Sequence, residues 1–179
     1  MAPVPQDASS APRPTLFLDR DGVLNVDHGY VHRWEDFDWI SGAREAVRRF
    51  NAAGWLVIVI TNQSGIGRGY YTEDEMHALH EHMQAGLAEK GARIDAFYYC
   101  PQHPDAAEEA YRHPDPPDRK PNPGMLLRAL AEWPVDRERS IMVGDKPADL
   151  EAALRAGVRG LLFEGGDLDK FLADHGILP

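Results

Sequence analysis

The stretch Trp55-Leu56-Val57-Ile58-Val59-Ile60-Thr61-Asn62 constrains the fold more than any other part of the chain. It is apolar at successive positions and rich in β-branched residues, so it predicts a strand buried on both faces. Such a strand belongs inside a parallel sheet with helices on either side. A second apolar run, Thr15 to Leu18, stops at Asp19-Arg20-Asp21-Gly22. Between the two runs, Ala43, Ala46, Val47 and Phe50 recur at helical spacing, with Ser41 expected as the N-cap and Gly54 as the stop. Strand, helix and strand make a βαβ unit, right-handed by default.

Further along, Thr72 is expected to cap a helix to about Lys90, with Met76, Leu79, Met83 and Leu87 as its buried stripe. Strands are expected at Ile94 to Tyr99, Ser140 to Gly144 and Gly160 to Phe163, and helices from Pro123, over Asp149 to Ala156 and over Leu168 to His175. The expected fold class is α/β, a doubly wound parallel sheet in a single domain over residues 15–179. Residues 1–14, with Pro3, Pro5, Pro12 and Pro14, read as a disordered arm.

A net charge of −10 argues against nucleic acid or an anionic membrane as the main partner. It leaves room for a phosphorylated small molecule held by a local cluster of Lys and Arg. Cys100 is the single cysteine, so no internal disulfide forms. No apolar run reaches the roughly 20 residues of a membrane span, and residues 1–14, with no apolar h-region, are not expected to be a signal peptide. A cytoplasmic monomer is expected.

In open α/β sheets, ligands bind beyond the carboxyl ends of the strands. Asp19 and Asp21 fall there, and two neighbouring carboxylates call for a cation such as Mg²⁺. Asp145 marks a second acidic strand end, in Gly144-Asp145-Lys146-Pro147-Ala148-Asp149. The stretch Thr61-Asn62-Gln63-Ser64-Gly65-Ile66-Gly67-Arg68-Gly69 offers hydroxyl, amide and N–H groups to phosphate oxygens, without the Lys of a Walker loop. Lys120, at a loop–helix junction, either reaches a phosphoryl group or is a surface lysine. The loop Asp27-His28-Gly29-Tyr30-Val31-His32 either contacts substrate or only connects. Together, Asp19, Asp21, Thr61, Lys120 and Asp145 suit phosphoryl transfer: one Asp as nucleophile, another carrying the proton, with Mg²⁺, Lys120 and Thr61 offsetting charge.

Two other groupings invite a metal. His77, His80 and His82 lie close in sequence, but a solvated helix face is the expectation for them. The proline-rich loop from Cys100 to Lys120 contains Cys100, His103, His113 and Asp118, a conceivable zinc set at no standard spacing.

The ordered motifs Leu18-Asp19-Arg20-Asp21-Gly22, Ile60-Thr61-Asn62, Lys120 and Gly144 to Asp149 resemble those of the haloacid-dehalogenase-like phosphatase superfamily. Asp27-His28-Gly29-Tyr30, Gly67-Arg68-Gly69, Tyr98-Tyr99-Cys100-Pro101 and Arg119-Lys120-Pro121-Asn122-Pro123-Gly124-Met125 narrow the resemblance to its heptose-bisphosphate and histidinol-phosphate phosphatase group. The resemblance implies a Rossmann-like core without a large cap, and Mg²⁺-dependent hydrolysis of a sugar phosphate, foremost D-glycero-D-manno-heptose 1,7-bisphosphate at its 7-phosphate. It implies Asp19 as the nucleophile forming an aspartyl phosphate, and Asp21 as general acid and then base. The metal would be held by Asp19, Asp145 and the backbone carbonyl of Asp21. Thr61 and Lys120 would steady the phosphoryl group. Arg119, Lys146, Asn62, Gln63, Ser64 and the loop Asp27, His28, Gly29 and Tyr30 would serve the substrate. Histidinol phosphate is the alternative substrate, and a silent sugar-phosphate-binding scaffold the alternative class. Relatives in this group often bind structural zinc through Cys-x-His and Cys-x-Cys; at those positions this chain has Cys100, Gln102, Pro116 and Asp118, so zinc is not carried over.

Overall fold

The structure, a computed structural model, describes residues 11–177 and residue 179. Five parallel strands form one sheet in the order β3-β2-β1-β4-β5: β1 Thr15–Leu18, β2 Leu56–Asn62, β3 Ala96–Cys100, β4 Ile141–Gly144 and β5 Arg159–Leu162. The chain order reverses on either side of β1, which places β1 and β4 at the switch point where doubly wound sheets open a ligand crevice.

Strand side chains alternate between two helical layers. Leu16, Leu18, Val57, Val59, Ile141 and Val143 pack on one face against α1 (Ala43–Ala52), α3 (Glu73–Ala88) and α6 (Leu168–Asp174). Phe17, Leu56, Ile58, Ile60 and Met142 pack on the other against α4 (Gly124–Glu132) and α5 (Pro147–Ala156). This two-sided burial is why β2 is apolar at consecutive positions. Between β1 and α1 the chain forms loops and one 3₁₀ turn, Trp34–Asp36. Among the described residues no helix is long and apolar enough to cross a membrane.

Several local expectations are corrected. Ser41 does not cap α1: Gly42 occupies that position in a left-handed conformation, and Ser41 Oγ donates instead to Asp167 Oδ2 at 2.8 Å. Thr72 does cap α3, in a reciprocal capping box with Glu75. Within the stretch Thr61 to Gly69, β2 gives way after Asn62 to a short helix, α2 (Ser64–Gly67). His80 is not solvated: it is buried and its ring stacks on Phe97 at 4.2 Å. Residues 1–10 of the expected arm lie outside the described residues. Arg13 and Pro14 belong to the fold, because Arg13 bridges Val135 and the Pro14 carbonyl accepts from Leu56 N–H at 3.0 Å.

Candidate active site

The carboxyl ends of β1, β2 and β4 border a cavity of about 340 Å³. Asp19 follows β1 directly, and its N–H donates to Val143 O at 3.0 Å, which ties the ends of β1 and β4 together. Its carboxylate is nearly buried. Oδ1 accepts from Arg20 N–H at 2.7 Å and lies 3.0 Å from Lys120 Nζ. No described residue hydrogen-bonds Oδ2, so that oxygen is left for a ligand.

Lys120 is buried, and its three N–H donors meet three acceptors. They are Asp19 Oδ1, Asp149 Oδ1 at 2.6 Å and Ile60 O at 2.7 Å. Burial lowers the affinity of this ammonium for its proton, but the charges of Asp19 and Asp149 outweigh it and hold the pKa above the usual lysine range. Asn62 clasps the Lys120 backbone, donating from Nδ2 to Lys120 O at 3.1 Å and accepting Lys120 N–H on Oδ1 at 3.0 Å. Asn62 lines the cavity, yet its polar atoms position Lys120.

Carboxylate oxygens of Asp19, Asp145 and Asp149 lie within 4.8 Å of one another. Burial pushes the Asp19 carboxyl up to about 7; Asp149 and Asp21 push the same way, against Lys120. Burial raises Asp145 too, and its Oδ1 is buried without a partner. Buried Lys120 and the more exposed Lys146, 3.8 Å from Asp145 Oδ2, do not balance three carboxylates. The oxygen-only donor set fits a hard divalent cation such as Mg²⁺. Gly22 permits the arrangement: it sits at φ 89°, and a Cβ there would stand 2.3 Å from Asp145 Oδ2.

Asp21, partly exposed, is held through both oxygens. Asn25 Nδ2 donates to Oδ1 at 3.0 Å, Gln63 Nε2 to Oδ2 at 3.1 Å, and Arg20 Nη2 to each at 3.0 Å. Gln63 also donates to Thr61 Oγ1 and accepts from Tyr71 O–H. Thr61 is thus buried beneath Gln63 and does not line the cavity, and Gln63 is engaged by protein on both amide atoms.

Asp27, Gly29, Tyr30, Ser64, Arg119 and Lys146 line the remaining wall. Arg119 Nη1 is buried without a partner, a donor aimed at no protein acceptor. Lys146 Nζ lies 3.3 Å from Asp27 Oδ2 and 3.8 Å from Asp145 Oδ2. His28 departs from expectation. The chain reverses through Gly29 and Tyr30, at φ 80° and 54°, and His28 pairs with Asp38 at 2.8 Å outside this cavity.

The zinc candidates do not converge. Among the described residues, Asp19, Asp145 and Asp149 are the one group of such side chains close enough to share an ion. His103 Nε2 faces Arg68, His113 Nδ1 accepts from Asp115 N–H, and Asp118 pairs with Arg128. The buried Cys100 thiol lies 3.8 Å from Gln102 O.

Motif reasoning missed Asp149 and Arg20 as site residues. Asp149 had a signal, since an acidic residue in the first turn of the helix that follows Asp145 lies close to the same strand end. Arg20 had only its place between two aspartates.

Residues 118–175 match the family model for HAD-hydrolase-like proteins. The chain is 47% identical over 169 residues to a D-glycero-beta-D-manno-heptose-1,7-bisphosphate 7-phosphatase of Rhodopseudomonas palustris, covering 92% of this chain and 91% of the relative. An enzyme of the same name from Escherichia coli K12 is 46% identical over 81% of this chain and 75% of its own length. The crystal structure of D,D-heptose 1,7-bisphosphate phosphatase from B. bronchiseptica, complexed with magnesium and phosphate, superimposes with a TM-score of 0.76 at 35% identity. It covers 93% of this chain and 88% of that one.

Proposed function

The chain belongs to the haloacid-dehalogenase-like phosphatases and is a phosphoric monoester hydrolase, and from that premise we propose that it removes the 7-phosphate of D-glycero-D-manno-heptose 1,7-bisphosphate. The observation that carries this reading is the Asp19 carboxylate at the cavity wall, bonded to Lys120 through Oδ1 with Oδ2 left open. The relatives' names support the substrate, and a cavity of about 340 Å³ suits a small sugar phosphate.

Asp19 and Asp145, with the Asp21 backbone carbonyl, would hold Mg²⁺. When bound, the ion offsets the carboxylate charge and polarises the phosphoryl group. Asp19 Oδ2 attacks phosphorus, and the ester P–O bond breaks with its electron pair left on the sugar oxygen. Asp21 delivers its proton to that oxygen. Asp21 then takes a proton from water as the water oxygen bonds to phosphorus. The Asp19–phosphorus bond breaks, which frees phosphate and restores the carboxylate. Lys120 holds Asp19 in place throughout and stabilises charge on the transferring group. Thr61 supports the site from beneath, through Gln63. Arg119, with its unpartnered Nη1, and Lys146 supply positive charge for the second phosphate.

Phosphate release measured on both anomers of heptose 1,7-bisphosphate and on histidinol phosphate, with and without Mg²⁺, tests the substrate. Faster turnover of histidinol phosphate overturns it. Asp19→Asn is expected to abolish turnover while the protein stays folded; undiminished hydrolysis would remove Asp19 as the nucleophile.

A further inference from the structure

His80 lies on α3, outside the cavity, yet its Nε2 stands 3.4 Å from Arg20 Nη1. Arg20 is fully buried between the two site aspartates. A guanidinium carries only donors, so His80 Nε2 meets it with a lone pair. The ring hydrogen therefore sits on Nδ1, a buried atom with no partner. Burial, the Arg20 charge and His77 hold the His80 pKa well below the usual imidazole range, so the ring is neutral.

The other guanidinium nitrogen of Arg20 faces the chemistry. Nη2 donates to both Asp21 oxygens at 3.0 Å and to Val31 O at 2.5 Å. The Phe97 stack fixes His80, His80 and Val31 fix Arg20, and Arg20 fixes the Asp21 carboxyl.

We propose that His80 is a positioning residue for proton transfer, holding Arg20 so that Arg20 aims Asp21 at the leaving oxygen. The inference rests on the reading of Asp21 as the proton carrier. As the ester P–O bond breaks and the oxygen takes the Asp21 proton, Asp21 becomes an anion. A guanidinium already in place stabilises that charge without rearranging. A leaving group that departs without a proton gains nothing from this arrangement.

The test compares kcat/KM, which reports events through the first bond cleavage, for an alkyl ester and an aryl ester. The alkyl ester is the heptose bisphosphate, or the alkyl phosphate the enzyme turns over best; the aryl ester is p-nitrophenyl phosphate. His80→Leu is expected to lower kcat/KM on the alkyl ester by on the order of tenfold through kcat, with KM unchanged. The aryl ester is expected to change by less than about twofold, since its phenolate leaves unaided. His80→Gln, whose amide oxygen can accept from Arg20, is expected to recover most of the loss. Equal losses on both esters, no loss on the alkyl ester, or a Gln variant no better than Leu overturns the proposal. If these variants do not fold, the ring tautomer of the wild-type protein decides by ¹⁵N NMR: a bare Nε2 is expected, and a protonated Nε2 overturns it. Asp21→Asn, run in parallel, separates the two readings. If it spares the alkyl ester, the role of Asp21 falls. If it abolishes turnover while His80→Leu is inert, only the role of His80 falls.

Discussion

Lys120 Nζ lies 2.6 Å from Asp149 Oδ1, with both side chains buried, and this contact ties the loop before α4 to the first turn of α5. Its other acceptors, Asp19 and Ile60, belong to or follow β1 and β2. A single ammonium therefore joins four segments at the sheet edge.

Replacing this ammonium should expose how much charge it balances. Lys120→Met leaves Asp19 and Asp149 buried without their cation, at an expected cost of about 3–5 kcal/mol in urea unfolding without divalent ions. Mg²⁺ should restore part of that stability. Turnover should fall by on the order of a hundredfold or more even with Mg²⁺, because charge stabilisation at the transferring group is gone. A variant as stable as wild type in chelator would show that the lysine does not offset the carboxylates.

The dependence of metal binding on pH has a defined sign. Asp19 is raised to about 7 from an ordinary value of 3.8, with burial as the first cause. Between those values the folded state binds the proton more tightly than the unfolded state, so the metal-free protein loses stability as pH rises through that window. The carboxylate formed on the way up is the form a cation needs. Added Mg²⁺ should therefore raise the melting temperature more at pH 8 than at pH 5.5, and Asp19→Asn should flatten that difference. An equal shift at the two pH values would contradict it.

Asn62 should matter through Lys120. Asn62→Ala removes both bonds to the Lys120 backbone, so kcat is expected to fall by on the order of ten- to a hundredfold. KM should change little, since both amide atoms are already bonded to the Lys120 backbone. A variant whose loss lies entirely in KM would instead make Asn62 a substrate ligand.

The loop from Cys100 to Lys120 should stand without zinc. Protein purified without added zinc is expected to hold no stoichiometric zinc by elemental analysis. Chelator treatment followed by Mg²⁺ should leave its melting temperature unchanged. Stoichiometric zinc in the purified protein would refute this expectation.

The amino-acid sequence alone determined the strands and the edge on which the chemistry gathers. Apolar periodicity reports burial locally, and in a parallel sheet every strand's carboxyl end points the same way. That is enough to bring Asp19, Asp21 and Asp145 together and to set Lys120 near them. Packing decided the partners. Ser41 lost its cap role because α6 brings Asp167 to it, and His28 turned to Asp38 because Gly29 and Tyr30 reverse the loop. Asp149 met Lys120, and His80 met Arg20, because helices and loops distant in the chain cross at the sheet edge. A side chain's local pattern states whether it is buried. What it touches depends on elements far away in the chain, and only the tertiary structure sets those distances.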